Sequence, residues 1–359
     1  MMKNKIIVNG RFLTQKSTGV QRVATEISKY FQEHYKEEVV FLCPKKKLLN
    51  PNAESLNCVK FGYFSGYFWE QIELPLFLFR NKVSLLINFC NTAPILFKKN
   101  LIVIHDMAVK ENKSWFNWKF VLVYNILFFF NLKNALKIIT VSNFSKKEIL
   151  KFYPDIQQSA IEVVYLGSFL NFNEEEYKKG DYFIAVNSLN SRKNIKVILE
   201  AFEHLDPNKY KLRIIGNTFD NIFNNDSLKF NSNITFLNEI SDAELMKEIS
   251  EAKAFINASF YEGFGLTAIE AMSVYTPCIL SDIPVYRELY NDTALFFKTD
   301  NAMELAQKIE NLTYSDNYKD ICKRSFEASQ KFSWKAASNT YISIVENLKN
   351  KRQIEKSPN

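Results

Sequence analysis

A chain of 359 residues exceeds what one ordinary core organises and fits two domains of ~150 to 200 residues each. With 47% hydrophobic and 24% charged residues it is neither disordered nor fibrous, and five scattered cysteines without a C-x-x-C spacing exclude a disulfide framework and a thiolate metal site and indicate a reducing compartment. A net charge of +7 leaves nucleic acid, anionic lipid and phosphorylated substrates open as partners.

The first residues, MMKNKIIVNGRF, hold an apolar run too short for a signal peptide and read as a buried first strand. Further apolar runs predict strands at residues 39–43, 84–88, 101–105, 138–141 and 161–164, with helical stretches such as 20–34 between them. The most apolar stretch, FVLVYNILFFF at 120–130, falls well short of the ~20 residues that cross a bilayer and predicts a core helix. A polar segment, NFNEEEYKKGD at 171–181, breaks the pattern and predicts a linker. Alternation then restarts with strands at 182–187, 211–216, 234–237, 254–257 and 278–281 and helices at 195–205, 243–252 and 267–274. A last helix, 334–350, has one apolar face to bury and is expected to pack back on the first domain, ahead of a frayed tail. The fold class is therefore α/β, with doubly wound domains at 1–170 and 182–333 and a terminal helical segment at 334–359. Facing each other, two such domains would line one cleft with the carboxyl ends of both sheets, where ligands of open α/β sheets bind.

The segment ASFYEGFGLTAIEAMSVYTP at 258–277 joins a strand end, a glycine loop and a helix. Gly263 and Gly265 let backbone amides approach a ligand, and the helix start near Thr267 favours phosphate. Glu262 and Glu270 lie eight positions apart and can grip sugar hydroxyls from one pocket; the alternative is an exposed loop glutamate and a helix-surface one. A dinucleotide-binding loop is disfavoured, because the third glycine is absent. Arg192 and Lys193, between a strand and the helix beginning near Asn194, suit a diphosphate and the charge it develops on leaving.

His105 and Asp106 end the strand LIVI, which would aim them into the cleft as catalytic candidates, with a structural strand-end histidine as the alternative. Gly19, in the loop QKSTGVQ, can bring amides near a diphosphate or acceptor, although Ser17 or Thr18 as a helix N-cap explains this loop equally well; Arg22 is a weaker candidate. Three histidines cannot build a His-rich metal site, and the lack of D-x-D agrees with metal-independent chemistry. No G-x-S-x-G elbow exists for a serine hydrolase. Aromatic residues interleaved with lysine, as in Trp115, Phe116, Trp118, Lys119 and Phe120, and the cluster Tyr63, Phe64, Tyr67, Phe68 and Trp69, suit either a bilayer interface or a core.

EGFGLTAIEA resembles the E-x7-E signature of the retaining GT-B glycosyltransferases of family 4, also called group 1. The resemblance extends to residues 10–27, 101–108, 138–149, 191–202 and 234–259 and covers nearly the whole chain. It implies a GT-B fold with an acceptor-binding N-terminal domain and a nucleotide-sugar-binding C-terminal domain. It implies Glu270 as a ribose clamp and Glu262 as a contact to the transferred sugar. The amides of Gly263, Phe264, Gly265, Leu266 and Thr267 would hold sugar and diphosphate, His105 would contact the sugar, and backbone near Gly216 and from Asn238 through Glu239 to Ile240 would read the base. Ser188 stands where many members carry arginine, and Asn238 and Tyr275 where they carry glycine.

The expected function is hexosyl transfer, of mannose or a similar sugar, from a nucleotide diphosphate sugar to a saccharide or lipid-linked acceptor, without metal or cofactor. The expected setting is surface-polysaccharide (lipopolysaccharide) synthesis in the cytoplasm, at the inner face of the membrane through peripheral contact with anionic lipid. A nucleotide-sugar epimerase of the same fold is the main alternative. A nucleic-acid-binding protein would need a fold such as RRM or KH, which this pattern does not resemble.

Overall fold

The structure, a computed structural model, describes residues 2, 5–168, 179–186, 190–216, 232–238 and 240–354. Ser188, Glu239 and residues 171–178 of the expected linker lie outside the described residues. The chain divides into two compact units, Met1–Leu166 with Ser333–Asn359, and Gly167–Phe332.

The N-terminal unit holds strands β1 (Ile6–Asn9), β2 (Val39–Pro44), β3 (Cys58–Phe61), β4 (Leu86–Asn88), β5 (Asn100–Ile104), β6 (Lys137–Thr140) and β7 (Ile161–Val163). They form one parallel sheet in the order β3-β2-β1-β4-β5-β6-β7. Its helices are α1 (Gly19–Tyr35), α2 (Gly66–Phe68), α3 (Leu74–Arg80), α4 (Ala108–Glu111), α5 (Trp118–Asn134) and α6 (Asn143–Phe152), with a π-helical turn at Trp69–Glu73 between α2 and α3. Strands β1, β2, β4 and β5 are fully buried, as a sheet covered on both faces requires.

The C-terminal unit holds β8 (Phe183–Val186), β9 (Leu212–Ile215), β10 (Ile234–Leu237), β11 (Ala254–Asn257), β12 (Cys278–Ser281) and β13 (Leu295–Phe297), parallel in the order β10-β9-β8-β11-β12-β13. Helices α7 (Ile195–Glu203), α8 (Asp242–Glu251), α9 (Leu266–Met272), α10 (Pro284–Tyr290), α11 (Ala302–Thr313) and α12 (Tyr318–Ser329) complete it. On α7, Val197, Ile198, Ala201 and Phe202 recur at helical spacing and bury against Phe183, Ile214 and Ile256 of the sheet. Each such side chain contributes roughly 1.5–3 kcal/mol by leaving water. The last helix, α13 (Trp334–Ile354), packs on α1 in the N-terminal unit, with the Tyr341 ring 6.0 Å from Phe89.

Both sheets reverse their winding once, between β1 and β4 and between β8 and β11. At such a switch point the loops leaving two neighbouring strands diverge and open a crevice at their carboxyl ends.

Three local readings need correction. Edge strands β3 and β13 carry no strong sequence signal: β3 is half-exposed with Lys60 in it, and β13 has three residues. Helix α5 is only half a core helix, because Val121, Leu127, Phe128 and Leu132 are buried while Trp118, Leu122, Ile126 and Phe129 face solvent. Thr18 occupies the N-cap position of α1 without a capping bond; its hydroxyl pairs with Gln21 instead.

Candidate active site

In the C-terminal unit, the loops after β8 and β11 meet at the switch point. After β8 the chain forms a 3-10 turn, Ser191–Lys193, capped by the Asn190 side chain, which accepts from the Arg192 amide at 2.9 Å. Asn194 then takes a left-handed conformation (φ 50°) and anchors to the Thr299 carbonyl at 2.7 Å before α7 begins. Arg192 and Lys193 therefore sit on a fixed turn ahead of α7, not in its first turn. The Phe260 amide donates to the Arg192 carbonyl at 2.9 Å, which ties the two loops together directly.

Glu262, on the second loop, is 8% exposed, so the exposed-loop alternative does not hold. Its Oε1 accepts from Lys193 Nζ and, at 2.8 Å, from the Ser259 hydroxyl. Ser259 is itself fixed by two bonds: its amide donates to Asn257 Oδ1 at 2.9 Å and its carbonyl accepts from the Ser281 hydroxyl at 2.6 Å. Burial pushes the Glu262 carboxyl up, but the charges of Lys193 and Arg192 and the hydrogen bonds from Lys193 and Ser259 together outweigh it, so the group is held below the ordinary carboxylate value. Two half-buried cations thus stand beside the buried Glu262 carboxylate.

Gly265 adopts φ 87° at the N-cap of α9, and an added Cβ there would run into the Tyr286 ring. Only glycine fits on both counts. Glu270 is also buried, at 1% exposed, which removes the helix-surface alternative. Tyr290, whose hydroxyl donates to the Gly265 carbonyl at 3.4 Å, is driven upward in pKa by burial and feels both Glu262 and Glu270. Phe264 packs its ring edge-on against Phe332 at 5.5 Å. Helix α9 has seven residues, so its short dipole adds a partial charge beside the full charges of Arg192 and Lys193. At the ends of β9 and β10, the Gly216 amide is committed to the Leu237 carbonyl at 3.2 Å, while Ile240 is half-buried.

In the N-terminal unit, His105 leaves β5 buried, its amide donating to Asn91 Oδ1 at 2.7 Å and its Nε2 lying 2.8 Å from the Phe89 carbonyl. A carbonyl only accepts, so Nε2 carries the proton and Nδ1 the lone pair. Burial holds the imidazole below its ordinary pKa, against the smaller upward effects of Phe89 and Asp106. The folded ring is therefore neutral where the unfolded one begins to protonate. Stability from this group is complete above pH ~6.5 and falls on acidification through that value, by at most about 1.4 kcal/mol per unit. Urea midpoints at pH 7.5 and 5.5 should accordingly drop more for the wild type than for His105→Asn; equal drops would show that the ring is not held neutral. Asp106 Oδ1 accepts from the Ala108 amide at 3.0 Å and starts α4. Gly19 is the first residue of α1.

The sequence reading passed over a buried ion pair at the other switch point. Arg11, in the 3-10 turn that follows β1, places Nε 3.1 Å from Glu70 Oε1 inside the π-helical turn. The same oxygen accepts from Asn9 at 2.8 Å and Thr92 at 3.1 Å, Arg11 donates to Thr92 at 3.0 Å, and its guanidinium stacks on Tyr67 at 4.5 Å. Burial opposes the arginine charge, and Glu70 together with the smaller effects of Tyr67, Tyr124 and Cys90 outweighs it. The only sequence hint was a lone arginine at the end of an apolar strand.

Residues 168–328 match the family "Glycosyl transferases group 1". Residues 168–328 thus form a group 1 glycosyltransferase domain, and the protein is a glycosyltransferase. This glycosyltransferase is 29% identical over 249 residues to the O-antigen chain mannosyltransferase RfbU of Salmonella typhimurium (strain LT2), covering 68% of this chain and 69% of that protein. Over 138 residues it is 34% identical to the serotype-specific mannosyltransferase WbdA of Escherichia coli, covering 36% of this chain and only 17% of WbdA. Its fold matches the crystal structure of Anabaena Alr3699/HepE in complex with UDP and glucose, with TM-score 0.73 and 14% identity over 96% of this chain and 99% of that one. Two doubly wound parallel units of this kind are the GT-B fold.

Proposed function

We propose that this glycosyltransferase moves a mannosyl residue from its nucleoside diphosphate donor to a saccharide acceptor of a surface polysaccharide, with retention and without a metal or cofactor. The carrying observation is the buried Lys193–Glu262 pair beside Arg192 at the β8–β11 switch point. Mannosyltransferases among the relatives support the sugar.

A lysine ammonium has three donors, so Lys193 can keep Glu262 and still bind a phosphate oxygen. Arg192 supplies a planar fork for a second one. Both bonds to Glu262 land on Oε1, which leaves Oε2 to accept from a sugar hydroxyl. As the bond from the anomeric carbon to the phosphate oxygen breaks, that oxygen takes the acceptor hydroxyl's proton, and the acceptor oxygen bonds to carbon on the same face. The two cations stabilise the charge gathering on the diphosphate, and no protein nucleophile is needed. In the N-terminal unit, the neutral His105 offers Nδ1 as an acceptor for a hydroxyl. Glu270 holds the ribose, and the Gly263 to Thr267 backbone holds sugar and diphosphate. No described helix is long and apolar enough to cross a membrane, and a lipid-linked acceptor would be met at the inner membrane face.

The test supplies GDP-mannose, UDP-glucose and a dTDP-sugar with and without an oligosaccharide acceptor. Acceptor-dependent release of nucleoside diphosphate from the mannosyl donor is expected, with the product keeping the donor's anomeric configuration by NMR. An inverted product would overturn the front-face route. Conversion of a donor to its epimer without nucleotide release would overturn transfer itself.

A further inference from the structure

The outer surface of the N-terminal unit carries an apolar layer that its core does not use. Along the helical segment from α2 through α3, Phe68, Ile72, Leu76 and Phe79 are all exposed, Phe68 by 71%. Along α5, Trp118, Leu122, Ile126 and Phe129 repeat at helical spacing and are exposed likewise, Trp118 by 68%.

The two stripes belong to one face. In parallel pairing, registered residues share a side of the sheet, and Ile7 pairs with Leu86, which pairs with Asn100. Ile102 and Ile104 follow on that same side by the two-residue period. Helix α3 buries Leu74 and Leu78 against Ile7 and Leu86, and α5 buries Phe128 and Leu132 against Ile102 and Ile104, so both helices cover the same side. Tyr67 lies close enough to Tyr124 to raise its pKa, which brings the two segments together. What faces outward is thus a continuous two-helix surface of aromatic and aliphatic side chains, larger than the scattered apolar residues a protein surface normally shows.

Its charge points to the occupant. From 112 to 136 there are three lysines, Lys113, Lys119 and Lys133, all exposed, and no carboxylate. Around α3, Arg80, Lys82, Lys98 and Lys99 are exposed, whereas both acids of that segment are turned to internal work: Glu70 pairs with Arg11, and Glu73 accepts from the Tyr63 and Phe64 amides. An apolar sheet of Trp, Phe, Leu and Ile with a largely cationic rim complements an anionic bilayer, with the rings at headgroup depth and the lysines on lipid phosphates. We propose that the α2–α3 and α5 face docks this glycosyltransferase on anionic membrane, an inference that rests on the lipid-linked acceptor reading above.

Full-length protein is sedimented with phosphatidylglycerol vesicles and with phosphatidylcholine vesicles, at low and high salt. At least 10-fold tighter binding to the anionic vesicles is expected, weakening with salt. The variant Phe68→Ser/Leu76→Ser/Trp118→Ser/Phe129→Ser should lose binding more than 10-fold while keeping its melting temperature and its transfer to a water-soluble acceptor. Lys98→Gln/Lys113→Gln/Lys119→Gln/Lys133→Gln should lose the preference for anionic lipid. A wild type that stays in the supernatant, or a serine variant that sediments like wild type, overturns the proposal. So does a dimer that the serine variant dissociates in the absence of lipid, which would make a second copy the occupant. Vesicle binding without any transfer would instead refute the functional reading and leave the docking face standing.

Discussion

Lys193→Ala is expected to lower turnover by about 10²–10³-fold, the loss typical of removing one group that stabilises transition-state charge, roughly 2.7–4 kcal/mol. The substitution removes a cation from the leaving diphosphate and also strands Glu262, which keeps only Ser259 as a bonded partner and Arg192 as a nearby charge. Its carboxyl should then rise in pKa, since burial is no longer outweighed by two cations. Glu262→Gln keeps the shape and removes the charge, and should lose rate without the instability that the stranded carboxylate brings. Lys196→Ala, whose amine is 81% exposed in a surface pair with Glu200, serves as the control and should turn over normally. Steady-state rates on the mannosyl donor decide this, and a Lys193→Ala enzyme near wild type removes that residue from the mechanism.

Glu70→Ala is expected to produce the largest loss of stability, about 3–5 kcal/mol, because it leaves the Arg11 charge buried without its carboxylate. Asn9 and Thr92 lose their acceptor at the same time. For a unit of this size each kcal/mol moves the midpoint by roughly 2–4 °C, so calorimetry of the full chain should show an early transition about 6–20 °C below wild type. Replacing both partners, Arg11→Met with Glu70→Met, should recover most of that loss, since apolar groups of similar volume carry no desolvation penalty. A Glu70→Ala midpoint within about 2 °C of wild type would mean that solvent reaches the pair.

How much of this was legible in sequence follows from how local each signal is. The interior strands were readable because burial on both faces demands unbroken apolar runs, as in LIVI before His105. Edge strands β3 and β13 were not, since one flank is not paired and a lysine is tolerated there. The glycine loop with Glu262 and Glu270 stood out because glycine and acids cluster within a few residues, and both carboxylates are buried in the structure. Ser259 and Asn257, which aim Glu262, carry no distinctive pattern. Arg11 and Glu70 meet only through the fold, so neither could announce the other. The 66–80 helical segment was hidden by Pro75 and by a π turn that disrupts helical periodicity. Tyr275 shows the reverse case: where the family has glycine, the chain keeps the left-handed backbone (φ 58°) at a cost of about 1–2 kcal/mol and stacks the ring on Phe326 at 4.1 Å.

The most direct measurement is calorimetric titration of GDP, UDP and dTDP into wild-type protein and into Lys193→Ala. One of the three should bind the wild type with a clear preference and bind the variant at least about 100-fold more weakly, as loss of a charge-assisted phosphate contact in a half-buried site requires. Equal affinities of wild type and variant for that nucleotide would mean that the diphosphate does not sit on the Lys193–Glu262 turn.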